Sequence, residues 1–408
     1  MIKNSKKRYL NKIILLLLLI LIFLIIFIDM TRFNLKINYD NSLTSLSSSI
    51  LKYFDIKPKH KTLSYIDNLL KEKKPKNVIL LVCDGLGSII LDKILNKNDF
   101  LIKNRKKDIF SVFPPTTAAS LNTIKTGLNP SEHGWLGWTS YIKPIDKIIT
   151  LYKDFEKGKL EKDSDYLEIK DKYFYNKKTI VELINEAGKY SAYELNCYPY
   201  NVDRDIDSVF NNILEALKIE GKKYIFSYYP EPDDILHVLG SESEQAKLEI
   251  EKINKKVEEY SKLILENKNT VMIIISDHGH LISNKVDIRN KEIRKYLEKP
   301  FIFIENRSPA FLVKKGMEEN FKKAFDKDFG NDFFLLSKEE ILKYNIFGEY
   351  SENNKHELFE TSFGDFMAIS KDSSKICLID EGDYPIHYSF HGGYSDDEIY
   401  IPLIVLSN

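Results

Sequence analysis

The chain has 408 residues, and its 60 Lys and Arg residues are balanced by 60 Asp and Glu residues, so its formal net charge is zero. A balanced charge excludes a dedicated nucleic-acid-binding protein, which needs a clustered basic surplus. The hydrophobic content of 43% excludes a disordered chain, and the length allows one large domain with an insertion or two domains.

The N-terminus is predicted to cross a membrane. Residues 1–12 carry five basic residues and no acidic residue, and sixteen apolar residues follow without interruption from Ile13 to Ile28. Such a run covers most of a hydrocarbon core about 30 Å thick, and no small-residue cleavage site follows it. A signal anchor over residues 1–30 is therefore favoured over a cleaved secretory signal. Because the basic flank comes first, we expect a cytoplasmic N-terminus and an extracytoplasmic remainder.

Residues 31–70 are predicted to be a juxtamembrane linker. They combine a Ser-rich amphipathic segment with the charged stretch KPKHK, and the charged KEKKPK follows directly at residues 71–76. This composition is typical of a solvated linker or of a segment that rests on lipid headgroups.

From residue 71 onward, short apolar runs alternate with helical patterns. The runs at 77–83, 224–229, 271–276 and 401–406 are typical of strands that are buried on both faces. This alternation predicts an α/β fold with a mostly parallel central sheet and helices on both faces.

The same patterns divide the chain after the linker into a core and an insertion. We assign residues 71–284 to the α/β core and residues 385–408 to its last segment. Residues 285–384 have shorter strands and are expected to form a smaller α+β cap placed before the last strand. Three cysteines lie far apart in the chain, so full internal pairing is impossible and a Cys197–Cys377 disulfide is left open.

A pair of threonines follows a strand-like segment in SVFPPTTAAS and opens a helix rich in small residues. A hydroxyl nucleophile needs activation, and the next histidine along the chain is only His133. Either Thr116 or Thr117 would therefore need a metal ion to activate it, or the pair simply starts a helix. The free N–H groups at such a helix start also favour a phosphoryl group.

Acidic and imidazole side chains lie next to four of the predicted strands. The carboxyl ends of parallel strands meet at one edge of a sheet, where ligands bind. Carboxylate and imidazole groups together are the ligands of zinc and similar metals. The side chains that predict this metal site are Asp84, Asp233, His237, Asp277, His278 and His391.

Five ordered motifs, VCDG, FPPTTAASLNTIKTGLNPSEHG, EPDDILH, SDHGH and HGGYSDDEIYIPLI, resemble the alkaline phosphatase superfamily. The resemblance is closest to its type I phosphodiesterase/nucleotide pyrophosphatase branch and runs from about residue 76 to residue 408. It implies a hydrolase of phosphoric esters, with two divalent ions, zinc most expected and manganese the alternative. A nucleotide or another small phosphate ester is the substrate that it implies.

The resemblance also assigns roles to residues. One metal would be held by Asp233, His237 and His391. The other would be held by Asp84, Asp277 and His278 together with Thr117, the nucleophile, which would form a phospho-threonine. The family motif F-P-T-x-T aligns its second threonine with Thr117, and Thr116 stays the alternative. His387 is a second candidate for the metal position given to His391.

One departure from the family concerns phosphate orientation. The branch has an asparagine shortly after the helix, whereas HGWLGWT contains none and Trp138 falls near that position. Trp138, His280 and Thr116 are candidate substrate contacts, and Arg307 is a candidate contact for a substrate anion.

The core motifs leave three other functions open. They are a phosphomonoesterase, a phosphotransferase that passes the phosphoryl group to a surface glycan or lipid, and a non-catalytic protein that binds a phosphorylated ligand.

Overall fold

The structure is a computed structural model that describes residues 37–199, 202–266, 269–371, 374–380 and 387–408. The predicted membrane anchor, residues 1–30, lies outside these ranges. Within them, no helix is both long enough and apolar enough to span a bilayer.

The strands are defined as follows, in chain order: β1 (Asn77–Cys83), β2 (Arg105–Phe110), β3 (Thr139–Ile142), β4 (Lys147–Thr150), β5 (Phe155–Glu156), β6 (Ser191–Glu194), β7 (Lys223–Tyr229), β8 (Thr270–Ile275), β9 (Leu281–Ile282), β10 (Asn284–Asp287), β11 (Phe303–Ile304), β12 (Pro309–Phe311), β13 (Phe333–Ser337), β14 (Phe366–Ser370), β15 (Ile376–Ile379), β16 (Ser389–Phe390) and β17 (Tyr400–Ser407).

The α-helices are α1 (Leu43–Tyr53), α2 (Ser64–Lys73), α3 (Ser88–Ile94), α4 (Phe100–Asn104), α5 (Thr117–Thr126), α6 (Pro130–His133), α7 (Ser164–Tyr173), α8 (Ile180–Ala187), α9 (Ile206–Leu217), α10 (Asp233–Leu239), α11 (Glu244–Glu266), α12 (Glu318–Phe329), α13 (Lys338–Lys343), α14 (Phe359–Ser362) and α15 (Asp396–Ile399). Short 3₁₀ helices lie at Tyr39–Asn41, Lys143–Ile145, Leu151–Lys153 and Glu292–Tyr296.

A six-stranded sheet forms the centre of the molecule, in the order β2-β17-β8-β1-β7-β6. The strand β1 pairs in parallel with β7 and β8, and β6 pairs in parallel with β7. Only β17 runs antiparallel, between β8 and β2. The predicted α/β fold with a mostly parallel sheet is confirmed.

Helices cover both faces of this sheet, which explains why its strands are continuously apolar. Alternate residues of β1 point to opposite faces. Val78, Leu80 and Val82 pack under α1, α2, α5 and α8. On the other face, Ile79 and Leu81 pack under α3, α9 and α11.

The prediction of a linker over residues 31–70 is wrong for the part of that range that the structure describes. Leu43, Leu46 and Ile50 of α1 are fully buried in the core beside β1. The serines of α1 are buried as well, and three of their hydroxyls donate to backbone carbonyls: Ser45 to Ser42, Ser47 to Ile124 at 3.1 Å, and Ser49 to Leu63. Because serine is small and can be hydrogen-bonded, a serine-rich face allows close packing on α5.

A second, seven-stranded sheet has the order β13-β14-β12-β11-β3-β4-β5. Its strands come from residues 139–156 and from residues 303–370, so this second sheet is not confined to the predicted insertion at 285–384. The strand β11 pairs with both β12 and β3, which joins the two stretches. Phenylalanines of α12 and β12, including Phe321 and Phe311, form its core. All three cysteines are free thiols, so Cys197 and Cys377 are not paired.

Candidate active site

The predicted metal ligands lie together at the carboxyl edge of the central sheet. Asp84 follows β1, and Asp233 and His237 stand one turn apart on α10, after β7. Asp277 and His278 follow β8 directly, and His391 follows β16 in the loop before β17.

The first metal group consists of Asp233, His237 and His391. Asp233 Oδ1 lies 3.6 Å from His237 Nε2 and 4.0 Å from His391 Nε2. The spacing of four residues places Asp233 and His237 on the same face of α10. Ligand atoms of these residues and of His280 all lie within 4.8 Å of one another.

The second metal group consists of Asp84, Thr117, Asp277 and His278. His278 Nε2 lies 3.3 Å from Asp84 Oδ1 and 3.5 Å from Asp277 Oδ2. Thr117 Oγ1 lies 3.4 Å from Asp84 Oδ2 and 3.2 Å from His278 Nε2. Asp233 also comes within 4.8 Å of Asp84 and His278, so the two groups adjoin each other.

Backbone carbonyls orient the imidazoles of both groups. Each ring places Nδ1 against a carbonyl oxygen: His237 against Ser389 at 2.8 Å, His278 against Gly279 at 3.2 Å and His391 against Pro115 at 3.1 Å. An Nδ1–H that donates to a carbonyl leaves the Nε2 lone pair free for a metal ion. The three histidines are therefore set up as Nε2 ligands.

The carboxylates of the second group need a cation. Asp84 and Asp277 are buried, and Asp84 Oδ1 and Asp277 Oδ2 have no hydrogen-bond partner among the described residues. Burial, followed by the charges of Asp277 and Asp233, raises the pKa of the Asp84 carboxyl well above its usual range. Buried carboxylates this close together are stable as anions only when a cation neutralises them. The donor set fits two adjoining divalent metal ions.

The two adjacent threonines face different partners. Thr117 presents its hydroxyl to Asp84 and His278, whereas Thr116 Oγ1 donates to Glu305 Oε1 at 2.7 Å. Thr117 is also the first residue of α5, whose first N–H groups have no acceptor within the helix. This geometry favours Thr117 over Thr116 as the nucleophile.

A cavity of about 400 Å³ opens onto Thr117, Asp233 and His391. Aromatic and charged side chains line much of the rest of it: Trp138, Tyr198, Phe303, Phe390, Lys153, Lys157, Arg204, Asp234, Glu305 and His387. Trp138 thus lines the cavity that opens onto Thr117. Trp135 is buried and donates from Nε1 to the Phe174 carbonyl, so it is a packing residue.

Three other candidate residues have contacts that differ from the roles expected for them. His280 is buried against Asp233, with Nε2 at 2.5 Å from Oδ1, and does not line the cavity. His387 stacks on the His237 ring, with centroids 4.7 Å apart, and belongs to neither metal group. The prediction for Arg307 is wrong because its guanidinium is fully buried and pairs with Glu398 at 2.8 Å.

Two side chains at the site were not found from the sequence. Tyr228 in β7 donates its hydroxyl to Asp84 Oδ2. Glu305 follows β11 and reaches the cavity, where its Oε1 accepts from Thr116 Oγ1 and, at 2.8 Å, from the Trp138 N–H. Burial raises the pKa of Glu305 to about 7. A single tyrosine in a strand or a single glutamate in an insertion carries no motif that would reveal it.

Comparison with known proteins identifies the family. The family model described as type I phosphodiesterase/nucleotide pyrophosphatase matches residues 78–392. No curated protein sequence matches the chain.

Similar solved structures include murine ectonucleotide pyrophosphatase/phosphodiesterase 5, which is 20% identical with a TM-score of 0.59 and covers 81% of this chain and 88% of its own. The human protein of the same name is 16% identical with a TM-score of 0.60, covering 81% and 87%. An inactive murine variant in complex with AMP is 20% identical with a TM-score of 0.58, covering 80% and 87%. The chain belongs to the type I phosphodiesterase/nucleotide pyrophosphatase family and is a hydrolase of phosphoric esters.

Proposed function

We propose that this enzyme cleaves phosphodiester or pyrophosphate bonds with Thr117 as its nucleophile and two divalent metal ions in the adjoining groups. The observation that carries the proposal is the position of the Thr117 hydroxyl, at the start of α5 and beside Asp84 and His278. A threonine there needs no neighbouring base of its own, since a metal ion can lower the pKa of the hydroxyl.

Each metal group would hold one ion. Asp233, His237 and His391 would hold the first, and Asp84, Asp277 and His278 would hold the second beside Thr117. Mixed nitrogen and oxygen ligands suit zinc, with manganese as the alternative. Such ions supply positive charge for the attacking oxygen, the leaving oxygen and the phosphoryl group between them.

The residues of the chain then account for the reaction. Asp84 Oδ2 is an acceptor 3.4 Å from Thr117 Oγ1, whereas His278 Nε2, 3.2 Å from the same oxygen, would hold the metal ion. The Thr117 oxygen bonds to phosphorus while the bond to the leaving oxygen breaks, and the electron pair departs with that oxygen, which takes up the proton that Thr117 loses. Water then attacks the phosphorus of the phospho-threonine, the bond from phosphorus to Thr117 Oγ1 breaks, a phosphomonoester is released, and a proton of the water restores the Thr117 hydroxyl. The first N–H groups of α5 orient the phosphoryl oxygens.

A nucleotide is the substrate class that we propose first. The family description names nucleotide pyrophosphatases, and a structurally similar murine protein is in complex with AMP in its inactive form. Trp138 and Tyr198 in the cavity provide aromatic faces on which a base can stack. We further propose that the run from Ile13 to Ile28 anchors the enzyme in the cell membrane with the catalytic residues outside the cytoplasm, because basic residues precede it.

The nucleophile is tested with Thr117→Ala and the matched variant Thr117→Ser. Turnover of bis(p-nitrophenyl) phosphate and of the p-nitrophenyl ester of thymidine 5′-monophosphate is measured on zinc-loaded full-length protein in detergent. We expect the alanine variant to lose on the order of 10³-fold or more in kcat, and the serine variant to keep measurable turnover because the hydroxyl remains. Metal analysis should find about two zinc equivalents per chain in both variants.

Wild-type turnover in Thr117→Ala with both metals retained would refute the nucleophile. Turnover of p-nitrophenyl phosphate alone would favour a phosphomonoesterase instead. Phosphoryl transfer to an added alcohol in preference to water would favour a phosphotransferase. Protease protection in sealed vesicles tests the anchor: digestion of the catalytic residues from the cytoplasmic side contradicts the proposed orientation.

A further inference from the structure

Glu305 places a carboxylate in the reaction cavity, although hydrogen-bond donors would serve a phosphate better. We propose that Glu305 is a specificity-determining residue that disfavours phosphomonoester dianions relative to phosphodiesters. This inference rests on the proposed function of the same site.

The first support comes from the donors that Glu305 occupies. Its Oε1 accepts hydrogen bonds from Thr116 Oγ1 at 2.7 Å and from the Trp138 N–H at 2.8 Å. Thr116 directly precedes the proposed nucleophile, so both donors lie beside the place where Thr117 receives the phosphoryl group. Hydroxyl and backbone N–H groups in such a place normally bind phosphoryl oxygens. Here the protein's own carboxylate accepts them instead.

The backbone around Glu305 holds the carboxylate in this position. The preceding residue, Ile304, has a φ of 74°, which is a genuine outlier for a β-branched side chain. A Cβ on Gly137 would come within 2.8 Å of the Ile304 carbonyl oxygen, and a Cβ on Gly392 would come within 2.7 Å of Glu305 Cγ. Strained conformations persist only where the surroundings fix them, and they cluster at functional sites.

Two of the cations that line the cavity have carboxylate partners of their own. Arg204 in the cavity wall pairs with Asp234, and the Lys157 ammonium lies 2.9 Å from Asp380 Oδ1. The second and third carboxylates of the cavity wall are Asp233 and Asp234. The metal ions would attract any phosphate to Thr117, so the Glu305 charge acts only against an additional anionic oxygen that lies next to its own carboxylate.

The position of the Glu305 carboxylate should favour phosphodiesters over phosphomonoesters, because the two differ in charge and in the number of free oxygens. A diester carries one negative charge on two non-bridging oxygens, and its remaining oxygens bear neutral organic groups. A monoester at alkaline pH carries two charges on three oxygens. Its third oxygen would face Glu305 rather than the donors that Glu305 occupies, so the dianion is rejected by an unfavourable contact built into the site.

The test compares Glu305→Gln with wild type on p-nitrophenyl phosphate and bis(p-nitrophenyl) phosphate at pH 8.5, where both metals are loaded. The amide keeps the shape, removes the charge and adds a donor. We expect kcat/KM for the monoester to rise about tenfold, which corresponds to about 1.4 kcal/mol, while the diester value changes by less than about threefold. The inhibition constant of inorganic phosphate should fall by about the same tenfold factor.

Glu249→Gln is the control. Glu249 is also a largely buried carboxylate, which accepts from the Tyr229 hydroxyl at 2.7 Å, but it does not line the cavity. Its substitution should leave the monoester-to-diester ratio unchanged. Should Glu305→Gln fail to fold by circular dichroism, Glu305→Ala frees the same two donors and should shift the ratio in the same direction.

The outcomes separate this inference from the proposed function. An unchanged ratio and an unchanged phosphate inhibition constant in a folded, metal-loaded variant overturn the role of Glu305 while diester hydrolysis stands. Loss of diester turnover in Glu305→Gln also overturns it, because Glu305 would then take part in the reaction. A wild-type enzyme that hydrolyses neither ester refutes the proposed function itself.

Discussion

Arg307 lies between β11 and β12 of the seven-stranded sheet. Replacing it with methionine removes a guanidinium that connects this sheet, through Glu398, to the loop that carries His391. Arg307 is fully buried, and its Nε and Nη2 donate to the two Glu398 oxygens at 2.8 and 2.9 Å. Its other N–H groups donate to two serine hydroxyls and two backbone carbonyls. Glu398 in turn accepts from the Gly393 N–H at 2.7 Å and the Ser395 N–H at 3.2 Å.

The expected magnitude follows from the charge that is left behind. Methionine fills much of the space of the arginine stem, but Glu398 stays buried without its counter-charge. Breaking a buried ion pair by removing one partner costs about 3–5 kcal/mol. The double variant Arg307→Met, Glu398→Gln carries no uncompensated charge, so it should recover about 2 kcal/mol relative to the single variant.

The assay is urea unfolding of detergent-solubilised full-length protein, followed by circular dichroism, for wild type and both variants. Metal content is measured in parallel. A less ordered 393–395 loop should also leave His391 less well positioned, so the first metal group should bind less than one metal ion per chain. A single variant within about 1 kcal/mol of wild type, or a double variant no more stable than the single one, would refute the reasoning.

Two further predictions concern α1 and a buried histidine. Leu46→Ala should lower the free energy of unfolding by about 2–5 kcal/mol, whereas Lys52→Ala in the same helix, which removes only an exposed ion pair with Asp67, should change it by less than about 1 kcal/mol; equal effects in urea unfolding would contradict the packing of α1. Burial lowers the pKa of His133 to about 3, since its ring is held neutral between Thr123 and the Trp135 N–H. The folded state resists the proton that the unfolded state binds below pH 6.5, so stability should fall by up to about 1.4 kcal/mol per pH unit as pH drops from 6.5 towards 3. The free energy of unfolding, measured in urea between pH 3 and pH 6.5, should depend less on pH in His133→Asn than in wild type. An equal pH dependence in the two proteins would exclude His133 as the cause.

The central sheet and the cluster of acidic and imidazole side chains at its edge were predictable because each signal is local. A strand such as β1 is buried on both faces and reads as an uninterrupted apolar run, and the ligand follows it within one residue. The edge of a parallel sheet then brings such ligands together without any knowledge of the side-chain geometry.

The parts that were missed depend on partners far away in the chain. The serines of α1 are typical of a solvated segment, and only the fit against α5 makes them interior residues. Strand β3 was assigned to the core, although it belongs to the second sheet. Its pairing with β11, through Thr139 and Ile304, joins residues far apart in the sequence, so no local pattern reveals it. Glu305 acquires its role only through Thr116 and Trp138, and neither contact leaves a pattern in the local sequence.

The position of β17 also has a consequence for how the enzyme matures. β2 reaches the sheet only through β17, which lies between it and β8 and is made almost three hundred residues later during synthesis. A nascent chain that has already produced β1, β7 and β8 therefore has an open gap where β17 belongs, and His391 has not yet joined Asp233. Long-range pairings of this kind form slowly and late. Metal loading and catalytic competence should consequently appear together, as the final event of folding, and an incomplete chain would have no hydrolase activity.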